Sequence, residues 1–271
     1  MLGRHHLAIS MGVVVPFLIP MLFKQNVNLI LPLTFLLAVM IGSLTPDADC
    51  GGKSKLYYNF NIVDWIMKKT VTPTVLFIFK LLSKKKVLEY EVKEEHRGIM
   101  HSPIGVLISS FLLTIILLII VLVIGAFNFW ILIIIFFGLL IGQFLHLMED
   151  SFTISGINWK FPFGTKQVLG EIYTFPKIEK KRDIRPEIFI YSLGFFSLII
   201  LLSFIFNAIK ISLIIYYIII LIIVLLIIWI NFLLAKSKSQ RWYQDAKKVR
   251  KVKRFLNPRF KSNSYHPYNN P

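Results

Sequence analysis

Residues 104–127 contain no ionisable side chain, and after Asn128 residues 129–148 contain only His146. At about 1.5 Å per residue in a helix, each stretch is long enough to cross the roughly 30 Å hydrocarbon core of a bilayer. Hydrocarbon offers the backbone no hydrogen-bond partner, and a helix pairs its own N–H and C=O groups. The remainder is of the same kind. The 271 residues are 56% apolar and 17% charged with a mean hydropathy of +0.68, which excludes an ordinary soluble domain. The expected fold class is an all-α membrane protein with about six transmembrane helices in three hairpins.

In chain order, residues 7–23 form a first span that carries Pro16 and Pro20 and is expected to kink. Arg4 before an apolar run resembles a signal peptide, but no small-residue cleavage site follows, so a retained helix is expected. A short second span, residues 29–44, stops at Thr45-Pro46 because proline disfavours helix in the residue before it. Residues 45–103 form a long polar excursion. Within it residues 57–69, with Trp65 and Lys68-Lys69, have an interfacial pattern. Residues 71–82, which hold Pro73 and Lys80, should lie on the surface or re-enter rather than span.

Ser102 and Pro103 read as N-cap and first residue of the third span, 104–127. The fourth, 129–148, has Gly138 and Gly142 at a spacing that allows close helix approach. Residues 149–186 should form an ordered loop over the membrane surface, and 187–206 and 211–235 a hairpin almost free of ionisable groups. The chain thus divides into a membrane core over 1–165, the rest of the second loop over 166–186, a C-terminal hairpin over 187–235 and a tail over 236–271.

Three hairpins put the N-terminus, both long loops and the tail on one side of the membrane. Of 31 Lys and Arg, only Lys24 and Lys210 fall in the short turns opposite, and basic residues accumulate in the cytoplasm. Both termini and both long loops are therefore expected to be cytoplasmic. The tail has 11 Lys and Arg against the single acid Asp245. It should lie on anionic lipid, each cation contributing about 1 kcal/mol, so the net charge does not call for nucleic acid as a partner. Cys50 is the only cysteine, which excludes an internal disulfide.

This topology collects the ionisable groups at one face. His5 and His6 begin the first span, Asp47 and Asp49 end the second, His96 and His101 precede the third, and His146 and Asp150 end the fourth, one helical turn apart. The sixth histidine, His266, lies in the tail. Imidazole and carboxylate are ligands for zinc, manganese or iron, and these residues suffice for one or two divalent ions. Close carboxylates such as Asp47 and Asp49 repel unless a cation sits between them.

A bound ion would make a nucleophilic water and polarise a phosphoryl or carbonyl oxygen, which is the equipment of a hydrolase. Arg97 could hold a phosphate, or pair with lipid headgroups or with Asp47 or Asp49. His96, if not a ligand, is a candidate general acid. Glu149 reads as a second carboxylate behind the ligands or as a solvated one, and Ser102 as a cap rather than a nucleophile.

The segments Gly3-Arg4-His5-His6-Leu7, Gly42-Ser43-Leu44-Thr45-Pro46-Asp47-Ala48-Asp49, His96-Arg97-Gly98-Ile99-Met100-His101-Ser102 and His146-Leu147-Met148-Glu149-Asp150, with Thr153, Gly156 and Pro162 beyond, resemble the YdjM-like family of predicted inner-membrane metal-dependent hydrolases. The resemblance covers about residues 1–165. It implies a metal centre in the inner membrane and a ligand set of His6, Asp47, Asp49, His101, His146 and Asp150, with His96 and Arg97 beside it; by position His6 rather than His5 matches the first histidine. Met100 stands where the family usually has threonine, and Cys50-Gly51-Gly52 replaces the usual residues after the acidic pair.

The expected function is hydrolysis of an ester or phosphoester, of a lipid or lipid-linked molecule given the depth of the site. The alternative is a non-catalytic metal-binding or ion-handling membrane protein. Ion transport calls for ionisable groups at mid-membrane, and the spans hold essentially none.

Overall fold

The computed structural model describes residues 3–23, 28–49, 54–82, 99–125, 127–161, 166–173, 183–206 and 212–241. Helix α1 (Gly3–Leu22) holds both Pro16 and Pro20 within one helix. Helix α2 (Ile30–Gly42) has 13 residues, about 20 Å, and is shorter than a hydrocarbon core. A 3-10 turn (Pro46–Asp49) follows it.

The described residues 54–82 of the first loop are helical and cover one end of the bundle. Ser54 caps α3 (Lys55–Asn59) by accepting from the Tyr57 N–H at 3.4 Å. Helix α4 (Asn61–Ile66) continues through a π turn (Met67–Val71) into α5 (Thr72–Leu82). The wide turn comes just before Pro73, whose ring and missing N–H disturb an ordinary α-helical turn. Met67, Val71, Val75 and Phe79 recur every fourth residue and are fully buried, while Ile62, Trp65, Phe77 and Leu81 face outward. The segment is thus a continuous amphipathic cover with apolar groups on its outer face as well.

Helix α6 (Pro103–Ile124) starts as its sequence predicts, with the Ser102 hydroxyl accepting from the Gly105 N–H at 3.0 Å and Pro103 in its first turn. It ends at Gly125, whose φ of 75° is the left-handed value glycine tolerates best. Asn128 then caps α7 (Phe129–Asp150), accepting from the N–H groups of Trp130 and Ile131. Helices α8 (Arg185–Ile205) and α9 (Leu213–Leu234) complete the bundle.

Among the described residues five helices, α1 and α6 to α9, are long and apolar enough to cross a membrane; α2, expected as a sixth span, is shorter. Side chains such as Val123 (84% exposed) and Ile214 (73%) form the outward apolar surface that lipid requires. The helices alternate in direction as three hairpins demand, with the starts of α1, α6 and α8 beside the ends of α2, α7 and α9. Arg185 marks this at the last pair: it hydrogen-bonds Asp183 at 2.6 to 3.1 Å, the Glu171 carbonyl at 2.6 Å and the Leu234 carbonyl at 3.2 Å.

Helices α2 and α7 run side by side in the same direction. A Cβ on Gly42 would meet the backbone of Leu139, one on Gly138 the Ala38 side chain, and one on Gly142 the Val39 carbonyl. The Gly138/Gly142 spacing therefore does serve close helix approach. Since Gly142 already lies beside Val39 and Ser43, the last two turns of α7 run past the end of α2.

The described residues of the second loop include strands β1 (Ile157–Asn158) and β2 (Lys166–Leu169), antiparallel, with β2 paired in turn to β3 (Lys238–Arg241). Strand β3 belongs to the stretch read from sequence as a lipid-bound tail. Its first residues instead pair their backbone with β2, and residues 242–271 lie outside the described residues.

Candidate metal centre

Four helix ends meet at the covered end of the bundle, and each brings a side chain that can ligate a metal. His6 stands in the first turn of α1, Asp47 in the 3-10 turn after α2, His101 in the 3-10 turn (Ile99–His101) before α6, and His146 and Asp150 one turn apart at the end of α7. His6, His101, His146 and Asp150 are at most 1% exposed. Asp47, at 15% of its side chain, is the one of the five that reaches solvent.

Four donor atoms form a closed ring. His101 Nε2 lies 3.6 Å from Asp47 Oδ1 and 3.7 Å from Asp150 Oδ2, and His146 Nε2 lies at the same two distances from the same two oxygens. These separations are too long for hydrogen bonds. Donors about 2.0–2.2 Å from one tetrahedral metal ion lie roughly 3.3–3.6 Å apart, which the ring approaches. His6 joins from one side, its Nε2 3.5 Å from Asp150 Oδ1 and its ring stacked on His146 with centroids 3.8 Å apart.

The orientation of His146 is fixed from behind, where its Nδ1 lies 2.7 Å from the Ser43 carbonyl oxygen. A carbonyl can only accept, so Nδ1 carries the proton and Nε2 turns its lone pair to the ring. Ser43 is the C-cap of α2, where carbonyls lack helical partners, so one contact satisfies a helix end and sets a tautomer. His146 Nε2 is buried with no hydrogen-bond partner among the described residues. A buried lone pair facing two carboxylate oxygens is unfavourable unless a cation lies between them. The residues therefore fit a metal, and a set of imidazoles and carboxylates without sulfur suits zinc, manganese or iron.

Asp47 shows the field of the cluster. Burial works against its ionisation, yet His146, His101 and His6, when protonated, outweigh burial and hold its carboxyl well below the usual carboxylate range.

Of the residues singled out from sequence, His6, Asp47, His101, His146 and Asp150 come together. Asp49 ends the 3-10 turn beside Asp47, its side chain outside the described residues, as are His96 and Arg97 altogether. His5 is turned to α8, with Nε2 3.6 Å from Glu187 Oε1. Glu149 is fully buried behind His6, its Oε2 2.8 Å from His6 Nδ1, so the solvated reading is corrected. Two participants were not anticipated. Ser10 donates to Glu149 Oε1 at 3.4 Å, and could have been found by its place one turn after His6; the Ser43 carbonyl has no side-chain signal.

A family model described as YdjM inner membrane protein matches residues 1–236. No curated protein and no solved structure matches the chain.

Proposed function

The chain belongs to the YdjM inner membrane protein family, and from that membership together with the geometry above we propose a metal-dependent hydrolase of an ester or phosphoester at the cytoplasmic face of the inner membrane. The observation that carries this reading is the ring of His101 Nε2, Asp47 Oδ1, His146 Nε2 and Asp150 Oδ2. The end of α7 and the two 3-10 turns after α2 and before α6 hold it, at the depth where lipid gives way to water. A divalent ion bound there, zinc or manganese by its donors, supplies a nucleophilic water near neutral pH and polarises the oxygen under attack.

The chain's own residues do the rest. Asp47, His101, His146 and Asp150 are the ligands, with His6 beside them. Asp49, next to Asp47, is a further candidate ligand. Arg97 is assigned the phosphate and His96 the leaving-group proton, since they precede His101 by four and five residues in sequence. A lipid or lipid-linked substrate suits the depth. The cytoplasmic placement of both termini rests on the excess of Lys and Arg in the long loops and tail.

The test is elemental content and turnover of detergent-purified protein beside a His146→Ala/Asp150→Ala variant. Stoichiometric metal and hydrolysis of a lipid or phosphoester panel, both lost in the variant, are expected. Equal metal in the two proteins would end this reading.

The near-complete burial of the ligands favours one competing reading, since structural metal sites are closed. In it the ion clamps the helix ends without turning over a substrate. Metal content with no hydrolysis, and a melting temperature that falls on chelation, would select it.

A further inference from the structure

Glu149 directly precedes the ligand Asp150, and successive helical residues point about 100° apart. While Asp150 faces the ring, Glu149 faces α1. There its Oε2 lies 2.8 Å from His6 Nδ1, and its Oε1 accepts from Ser10 Oγ at 3.4 Å. Ser10 follows His6 by four residues, so one face of α1 supplies both neighbours of the carboxylate. The two nitrogens of His6 are thereby divided, with Nε2 facing Asp150 Oδ1 at 3.5 Å and Nδ1 facing Glu149.

We propose that Glu149 is a positioning residue for the metal centre, holding His6 with its proton on Nδ1 so that Nε2 becomes a ligand beside the ring. A cation that takes the lone pair of Nε2 leaves the imidazole proton on Nδ1, 2.8 Å from Glu149 Oε2, and a carboxylate is the acceptor that suits that tautomer. It also makes the imidazole a stronger donor to a cation than a neutral partner would. The two stacked histidines then differ in kind, since His146 is oriented by a backbone carbonyl, that of Ser43, and His6 by the side chain of Glu149. Both Glu149 and Ser10 are 0% exposed, so water does not compete for Nδ1 of His6 and Glu149 acts on the centre through that ring.

This inference rests on the metal reading above, and the experiment separates the two. Detergent-purified wild type, Glu149→Gln, Glu149→Ala, His6→Ala and the His6→Ala/Glu149→Ala double variant are titrated with zinc against a chelator and loaded with cobalt(II) for visible spectra. Glu149→Ala is expected to weaken zinc binding about 10- to 100-fold and to change the cobalt bands, with Glu149→Gln between it and wild type. In the His6→Ala background the loss of Glu149 should cost no further affinity, because its action passes through His6. Asn231→Leu, a buried change in α9, controls for general destabilisation and should leave zinc affinity unchanged.

Wild-type affinity and spectrum in both Glu149 variants would overturn the proposal and leave the metal reading standing. A second large loss in the double variant would also overturn it. Wild type that binds neither zinc nor cobalt would overturn both. Should Glu149→Ala fail to fold, the Glu149→Gln comparison and its cobalt spectrum decide alone.

Discussion

The carbonyl oxygen of Ser43 and Nδ1 of His146 lie 2.7 Å apart, so the residue that caps α2 also decides which nitrogen α7 turns to the metal centre. Metal binding is thereby made to depend on how closely two helices pack. A Cβ at Gly142 would run into the Val39 carbonyl and the backbone at Gly42 and Ser43. Gly142→Ala should therefore separate α2 from α7, cost about 1–3 kcal/mol by overpacking and lower metal content although no ligand is changed. Gly194→Ala, where an added Cβ meets nothing within 4 Å, is the control and should change neither quantity. Melting temperature and elemental analysis in the same detergent measure both.

His146→Ala removes a ligand and also leaves the fully buried Ser43 without its carbonyl's partner. An unsatisfied buried acceptor costs about 1–3 kcal/mol, so this variant should melt below wild type even after both are stripped with a chelator. Identical melting of the stripped proteins would mean that water or another group takes over the Ser43 carbonyl.

A buried polar contact joins α6 and α7 within the spans themselves. Ser109 of α6 donates to Gln143 of α7 at 2.6 Å, both residues being 0% exposed. Interhelical hydrogen bonds in membranes contribute about 0.6–2 kcal/mol, so Gln143→Leu should destabilise within that range while retaining zinc affinity. Denaturation in mixed micelles, with zinc titration alongside, checks the pair of outcomes.

What was legible in the sequence follows from chain parity. His6, Asp47, His101, His146 and Asp150 each stand at the edge of an apolar run, and spans of alternating direction must bring alternate edges to one face. Burial was not legible in the same way. Glu149 reads as well solvated as buried, because only the packing of α1 against the end of α7 decides it. The Ser43 carbonyl belongs to the backbone, which every residue shares, and its role depends on α2 stopping where α7 continues. Strand β3 was missed because it pairs with residues 166–169, a contact between distant parts of the chain that its basic composition does not announce.

The pH dependence of stability can be argued at Asp183, which precedes α8 and lies outside the spans. Burial opposes its ionisation, but hydrogen bonds from Arg185 and from the Tyr173 N–H outweigh this and hold its carboxyl below the usual range. A carboxyl whose pKa is lower folded than unfolded contributes stability that is complete above its unfolded value, about 4. That stability is lost as pH falls through the folded value. Wild type should therefore lose more stability than Asp183→Asn between about pH 5 and about pH 3, by at most about 1 kcal/mol because the pair is partly exposed to water. Above about pH 5 the gap between the two proteins should be constant, since the carboxyl is ionised in both the folded and the unfolded chain. Arg185 also holds the Glu171 and Leu234 carbonyls, so Arg185→Ala should destabilise more than Asp183→Asn and do so at every pH. Melting temperatures of the three proteins across this pH range test the sign, and a gap that widened with rising pH above about 5 would contradict it.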